Sequence, residues 1–155
     1  MKIYIKQKIL TLPDKFYVKD INGKNIYSVE AEILSSGKRL HIYNTKSEEV
    51  GFLKQKIWSL MPRYEVLING KKEAEIKRLF NFLKPKYIVE GPDWIVSGDF
   101  SSHNYTITQN EKIVVKISKK WMSFSGDSYE LDIQDTHYEL LALCVVLAID
   151  TDIQM

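Results

Sequence analysis

The fold is decided near the C-terminus by residues 140–149, which read Leu-Leu-Ala-Leu-Cys-Val-Val-Leu-Ala-Ile. Just before them, Thr136 followed three residues later by Glu139 is a capping-box signature, so a helix is predicted over about 136–150. A helix with ten consecutive apolar residues has no polar face, and each large side chain left in water costs about 1.5–3 kcal/mol. Several such losses would consume most of a typical stability of about 5–15 kcal/mol, so the helix is predicted to be enclosed on every side.

A membrane span is the competing interpretation of this apolar run. About 20 apolar residues are needed to cross a bilayer, and the run has ten. A closed sheet of about twelve strands, by contrast, leaves a lumen that a helix about 10 Å across fills. The run is therefore interpreted as a helix inside a barrel.

The rest of the chain has the period-2 alternation of β-strands. Asn22-Gly23 and Asn69-Gly70 are typical of type I′ hairpin turns. Apolar alternation restarts six times, and four of the five gaps are 23 or 24 residues. The restarts are at Phe16, Leu40, Tyr64, Tyr87, Tyr105 and Tyr129. Twelve strands are predicted, at 3–9, 15–20, 24–35, 38–44, 48–58, 63–69, 72–82, 85–90, 93–98, 104–109, 112–121 and 127–133.

The predicted fold is mainly β, a single domain over residues 1–155 in which about twelve antiparallel strands enclose the C-terminal helix. The composition agrees, since 45% apolar and 27% charged residues are typical of a globular domain. In the strand 112–121 the alternation predicts that Ile113, Val115 and Ile117 share the dry face.

Positive charge is concentrated in one part of the chain, although the net charge is only +2. All 22 Lys and Arg lie at or before Lys120, and residues 53–86 hold nine of them against three acids. An excess of this kind attracts phosphate-bearing partners. The nine basic residues are Lys54, Lys56, Arg63, Lys71, Lys72, Lys77, Arg78, Lys84 and Lys86.

The only cysteine, Cys144, lies in the middle of the apolar run. It cannot form an internal disulfide, and burial there makes a thiol inert. Lysines interrupt the N-terminal apolar positions, which does not fit a secretory signal. The expected location is the cytoplasm, with a peripheral position at the membrane if the partner is a lipid.

The sequence resembles the LURP-one-related proteins, specifically their small bacterial members, within the tubby C-terminal-like superfamily. The residues that carry the resemblance are Lys6-Gln7-Lys8, the stretches 14–23 and 88–94, Gly98-Asp99-Phe100, 103–107, 117–121, Leu141-Ala142-Leu143 and Ala148-Ile149-Asp150. The resemblance implies a twelve-stranded barrel around a hydrophobic helix. Tubby-like proteins bind phosphoinositide headgroups through basic side chains on the barrel exterior, but no residue-by-residue match to that lipid site is present.

Three functions are compatible with these features. The favoured hypothesis is a non-enzymatic module that binds anionic phospholipid at a membrane surface. Its candidate residues are Lys54, Lys56, Lys71, Lys72, Lys77, Arg78, Lys84 and Lys86. The second is a nucleic-acid binder using the same residues. For that binder one of Trp58, Trp94 and Trp121 would stack on bases, although tryptophan at a sheet position is more often packing.

The third hypothesis is a small hydrolase with a site at the barrel rim around Asp93, Asp99 and His103. No phosphate-binding loop, nucleophile elbow or zinc-binding helix pair occurs in the sequence. No cofactor and no metal are therefore expected.

Overall fold

The computed structural model describes residues 1–6, 15–79 and 84–153. The strands are β1 (Lys2–Lys6), β2 (Lys15–Lys19), β3 (Asn25–Leu34), β4 (Gly37–Tyr43), β5 (Glu49–Lys56), β6 (Arg63–Ile68), β7 (Lys71–Leu79), β8 (Lys86–Glu90), β9 (Trp94–Asp99), β10 (Asn104–Gln109), β11 (Lys112–Met122) and β12 (Gly126–Ile133). A 3-10 turn (Thr136–Tyr138) leads into the helix α1 (Glu139–Ile153).

Each strand pairs antiparallel with the next, and β1 closes the sheet by pairing with β12. The predicted twelve-stranded antiparallel barrel around a C-terminal helix is confirmed. The ends of two predicted strands, at residues 7–9 and 80–82, lie outside the described residues. Asn69 and Gly70 both have positive φ (50° and 79°), as a type I′ turn requires.

The connection after β2 is a different kind of turn from the one predicted. Only Gly23 has positive φ there, at 82°, so Asn22-Gly23 does not form a type I′ turn. The Asp20 carboxylate instead accepts the backbone N–H of Asn22 and of Lys24, at 2.9 and 3.0 Å. Asp20 thus holds the backbone of a longer connection in place.

Helix α1 is enclosed by the sheet along almost its whole length, since residues 141–152 are all buried. The predicted bounds were displaced by three residues at each end. Asp135, not Thr136, caps the start, because its Oδ1 accepts the backbone N–H of His137 at 2.9 Å. The helix continues to Ile153 because its two late aspartates find hydrogen-bond donors inside the barrel.

Helix α1 approaches the barrel wall closely at Gly51, which has no side chain. A Cβ built on Gly51 of β5 would lie 3.4 Å from the Cys144 Sγ of α1 and 3.2 Å from Ile42 Cδ1. Burial raises the pKa of the Cys144 thiol to about 12, which agrees with the predicted inert core cysteine.

The predicted face of β11 was wrong at one residue. The register between β10 and β11 shifts after Ile107, which pairs with Val115, so that the next residue, Thr108, pairs with Ile113. The extra residue turns Ile113 outward, where it is 51% exposed, while Val115 and Ile117 stay buried.

The two ends of the barrel are distinguished by the direction of α1. The lower end is where α1 begins, beside Trp94 at the start of β9, whose ring packs edge-on against Tyr138. The upper end is where α1 finishes, beside Tyr64 and Tyr87 at the starts of β6 and β8. In an antiparallel meander the connections alternate between ends, so every even-numbered strand begins at the upper end.

Candidate functional site

The candidate basic residues do not form one cluster. Lys71 and Lys72 start β7 at the lower end. The other six lie toward the upper end, on β5, on the end of β7, just before β8 and on its first residue. They are Lys54, Lys56, Lys77, Arg78, Lys84 and Lys86.

On the outer face toward the upper end, strand register places cations directly opposite one another. Arg63 of β6 pairs with Lys56 of β5 on one side and with Lys77 of β7 on the other. One step further from the upper end, Arg39 of β4 pairs with Lys54. Like charges in adjacent positions repel unless carboxylates lie between them.

Glu75 pairs with two of these cations, Lys56 and Arg63, and Lys56 also pairs with Glu65 at 3.3 Å. The Glu75 carboxylate lies 2.8 Å from Lys72 Nζ, 3.4 Å from Lys56 Nζ and 3.3 Å from Arg63 Nη1. The hydrogen bond from Lys72, together with Lys56, lowers the pKa of this buried carboxyl to about 2. Elsewhere Lys77 pairs with Glu90 at 2.7 Å.

Four of the candidate lysines have no carboxylate partner among the described residues. They are Lys54, Lys84 and Lys86 toward the upper end and Lys71 at the lower end; in the described part of the chain none of the four has a carboxylate within ion-pair distance. Lys84 and Lys86 are also exposed to solvent. Three of these four unpaired lysines therefore lie toward the upper end, between β5 and β8.

Arg78 differs from the other candidates because it lies toward the interior. Its Nε is 3.5 Å from the Oδ2 of Asp152, a carboxylate that is almost completely buried inside the barrel. Arg78 thus takes part in a polar layer that closes the upper end of the lumen.

That polar layer is built around the two aspartates of the last turn of α1. Asp152 accepts hydrogen bonds from the phenols of Tyr64, at 3.1 Å, and Tyr87. Asp150 accepts one from Tyr129 and contacts His103 Nε2 at 3.1 Å. The strands therefore supply donors to both carboxylates.

Burying two carboxylates at the C-terminus of a helix is unfavourable, because the helix dipole is negative there. The phenol donors and Arg78 offset this cost. Burial, with the neighbouring Asp152, raises the pKa of Tyr64 and Tyr87 well above the usual range, so both stay protonated and able to donate. The layer fastens the end of α1 to the strands around it.

Two buried atoms in this layer have no hydrogen-bond partner among the described residues: His103 Nδ1 and the hydroxyl of Tyr105. The His103 ring stacks on Tyr129 with centroids 4.5 Å apart, which fixes its orientation. The aspartates, tyrosines and histidine of the layer are all buried, and Arg78 is its partly exposed member.

The tryptophans divide into one buried and two exposed side chains. Trp94 is 1% exposed, which confirms the packing interpretation for that residue. Trp58 and Trp121 are 94% and 71% exposed, so the same interpretation was wrong for them. β5 ends at Lys56, two residues before Trp58, and the connection that follows carries Trp58 and Leu60 into solvent.

Comparisons with known proteins place the chain in a family. The family model for LURP-one-related proteins matches residues 1–150. The chain belongs to the LURP-one-related family. It is 32% identical over 152 residues to the uncharacterized protein YxjI of Bacillus subtilis (strain 168), covering 98% of this chain and 92% of that protein.

A protein of Arabidopsis thaliana with a known X-ray structure has a similar fold. The TM-score is 0.63 at 16% identity, and the match covers 97% of this chain and 91% of the plant protein. At that identity the likeness shows the fold alone. In this LURP-one-related protein, no helix in the described ranges has the length and apolar character needed to span a bilayer.

The rim site predicted from Asp93, Asp99 and His103 is not assembled in this LURP-one-related barrel. Asp93 precedes β9 at the lower end and Asp99 finishes the strand at the upper end, about 20 Å away at about 3.3 Å per residue. Asp99 accepts hydrogen bonds from Ser101 and Ser102, while His103 faces Asp150. Among the described residues no three His, Cys, Asp or Glu side chains are grouped to hold a metal.

One feature of the upper end was not predicted from the sequence. Six large apolar side chains are exposed on the end of β3, the β5–β6 connection and the end of β7. The signal in the sequence is Pro62, which disfavours strand just after Trp58-Ser59-Leu60-Met61. We call these six residues the upper apolar surface: Ile33, Leu34, Ile57, Trp58, Leu60 and Leu79.

Proposed function

We propose that this LURP-one-related protein is a non-enzymatic binding module that holds anionic phospholipid headgroups at a membrane surface. The headgroups bind to the basic outer face of the upper end. The proposal includes a cytoplasmic location, with the module peripheral at the inner face of the membrane.

The observation that carries the proposal is the set of lysines without carboxylate partners beside a row of cations. Lys54, Lys84 and Lys86 flank the row formed by Lys56, Arg63 and Lys77. In the described upper-end connections there is no acidic residue that would repel a phosphate. Each Lys or Arg near an anionic surface contributes about 1 kcal/mol of attraction.

Glu75 and Glu90 do not cancel this attraction. Each acid already forms ion pairs with lysine or arginine side chains beside it on the barrel wall, and Glu75 is buried. Lys84 and Lys86 are nearer the upper end than these acids, while Lys54 lies in the same register row as Glu65, Glu75 and Glu90. A membrane that approaches along the barrel axis therefore meets positive charge first.

Vesicle sedimentation tests the proposal. The full chain is mixed with vesicles of phosphatidylglycerol and phosphatidylcholine, and with vesicles of phosphatidylcholine alone, at low and high salt. We expect binding only to the anionic vesicles, weakening as salt rises. No binding to anionic vesicles at low salt would remove the proposal.

A matched pair of variants locates the site. Reversing Lys54, Lys84 and Lys86 to Glu changes the net charge by the same amount as reversing Lys24, Lys46 and Lys112, which lie on lower-end connections or at the start of β11. The upper-end triple is expected to weaken binding by about 100-fold or more, and the lower-end triple by much less. Equal losses would show a general charge effect and no site.

A further inference from the structure

The exposure of the upper apolar surface is unusual in degree and in position. Trp58 is 94% exposed and Leu60 is 103% exposed, so neither packs against the barrel. Single exposed apolar residues are common on soluble proteins. Here six of them lie on neighbouring parts of one barrel end. Clustering of this kind is typical of a surface that binds a partner.

The parts of the chain that carry this surface are adjacent. A Cβ built on Gly37, in the β3–β4 hairpin, would lie 3.1 Å from Ile57 Cγ2, so the hairpin packs against the β5–β6 connection. On the other side, the backbone N–H of Arg78 donates to the Pro62 carbonyl at 3.3 Å. The β5–β6 connection is therefore held between the β3–β4 hairpin and the end of β7.

Cations border the apolar residues at a suitable distance. Lys56 lies two residues before Trp58, about 7 Å along an extended chain, and Arg63 follows Pro62 directly. Side chains at the boundary of headgroups and acyl chains penetrate about 5–10 Å. When Trp58 and Leu60 reach that depth, Lys56 and Arg63 lie among the phosphates.

We propose that the upper apolar surface inserts into the outer part of an anionic bilayer, with Trp58 and Leu60 as the anchoring side chains. This inference rests on the proposed phospholipid binding and adds the contact with acyl chains. Tryptophan suits the position because its ring is apolar and its N–H finds water or headgroup oxygens.

Other occupants fit the surface less well. Nucleic acid offers bases to stack on Trp58 but nothing to bury Leu60, Ile33 or Leu34. A second copy packed symmetrically on the same surface would bring Lys56 and Arg63 against their own counterparts, and like charges at an interface are repulsive. An anionic bilayer satisfies both the apolar side chains and the cations around them.

Tryptophan fluorescence of the Trp121→Phe variant tests the insertion. Trp94 is buried, so Trp58 is the tryptophan that responds to the surroundings of the protein. With vesicles that contain phosphatidylglycerol we expect a blue shift, and strong quenching when the acyl chains are brominated. Trp58→Phe, tested in the same way with Trp121 retained, is expected to lose most of the signal.

A second measurement uses partitioning at high salt, where headgroup attraction is screened. Leu60→Ser is expected to weaken vesicle binding by about tenfold or more, while Ile113→Ser, exposed on the wall toward the lower end, leaves it unchanged. Equal effects of the two substitutions would overturn the insertion.

Failure of the insertion is distinguishable from failure of phospholipid binding. Vesicles that sediment with the protein while Trp58 emission stays unshifted and unquenched would overturn the insertion and leave headgroup binding intact. No sedimentation would overturn both. Quenching of Trp58 by single-stranded DNA or RNA, or a dimer that Leu60→Ser dissolves, in each case without vesicle binding, would assign the surface to that other occupant.

Discussion

The two ends of this barrel are built from the same twelve strands, yet their connections differ. The lower-end connections at 20–24, 44–48, 69–70, 91–93, 110–111 and 134–135 contain five acids and two lysines. The described upper-end connections at 35–36, 57–62, 84–85, 100–103 and 123–125 contain no acid and one lysine. The strands form the scaffold of both ends, and the connections of the two ends differ in their charge.

The interior differs between the ends as well. At the lower end α1 begins against aromatic side chains, where Tyr138 packs edge-on against Trp94 at 5.3 Å between centroids. At the upper end it finishes in hydrogen bonds between two aspartates and the phenols of the strands. The end proposed to meet the membrane is therefore also the end that is closed by a polar layer.

The largest effect is expected when the polar layer is broken. Asp152→Ala leaves the phenols of Tyr64 and Tyr87 without an acceptor and Arg78 without its buried carboxylate, which costs about 3–5 kcal/mol. Asp135→Ala at the lower end removes only the cap of an exposed turn, at about 1 kcal/mol. Urea unfolding measures both, and similar costs would refute the contrast between the ends.

A gain of binding is expected from Glu75→Gln. The substitution removes the carboxylate shared by Lys56, Arg63 and Lys72, so Arg63 and Lys72 become available to phosphate while Lys56 keeps its pair with Glu65. We expect anionic vesicles to bind about three- to tenfold more tightly, and the protein to lose about 1–3 kcal/mol of stability. Glu48→Gln, on the lower-end connection after β4, is the control; a gain of the same size there would contradict a localised site.

The contribution of Glu75 should depend on pH in one direction. Its pKa is lowered from 4.5 to about 2, chiefly by the hydrogen bond from Lys72. A carboxyl with a depressed pKa in the folded state stabilises the fold fully above its unfolded value and loses that contribution as pH falls toward the folded value. The stability difference between wild type and Glu75→Gln should therefore shrink from pH 4.5 to pH 2. A difference that stays constant over this range would contradict the ion-pair account.

The smallest effect is expected at a tyrosine of the polar layer. The hydroxyl of Tyr105 has no partner among the described residues, so Tyr105→Phe should change stability by less than about 0.5 kcal/mol. Tyr64→Phe removes a donor to Asp152 and should cost about 1–2 kcal/mol. Thermal unfolding of the two variants checks this order, and a larger loss at Tyr105 would show a hydrogen bond that the account lacks.

The sequence allowed the architecture to be predicted because two of its signals need no tertiary information. Ten apolar residues without a polar face require enclosure, and period-2 alternation separated by turn residues predicts a meander. The restarts of that alternation proved to be inward-facing residues near the starts of the even-numbered strands. A spacing of 23 or 24 residues is thus the length of one hairpin of this barrel.

The end of α1 and the surfaces were not predictable in the same way. The helix was predicted to end at Asp150, because a polar residue follows the apolar run there. The nearby sequence does not show that Tyr129 and His103 provide hydrogen-bond partners for this aspartate inside the barrel. The candidate basic residues could not be divided into paired and unpaired ones, because, apart from Glu75 beside Lys72, the acids that pair with them lie on other strands or, for Arg78, on α1. The exposure of Trp58 depends on where β5 ends, and strand ends are the least certain part of a sequence-based assignment.

Hydrogen–deuterium exchange with and without anionic vesicles compares the two ends in one measurement. The account predicts slower exchange in the presence of vesicles at the β3–β4 connection, at residues 56–63 and at the end of β7, with no change in the lower-end connections. Protection of the lower-end connections, or of neither end while the protein is bound, would contradict the assignment of the upper end as the membrane-binding surface.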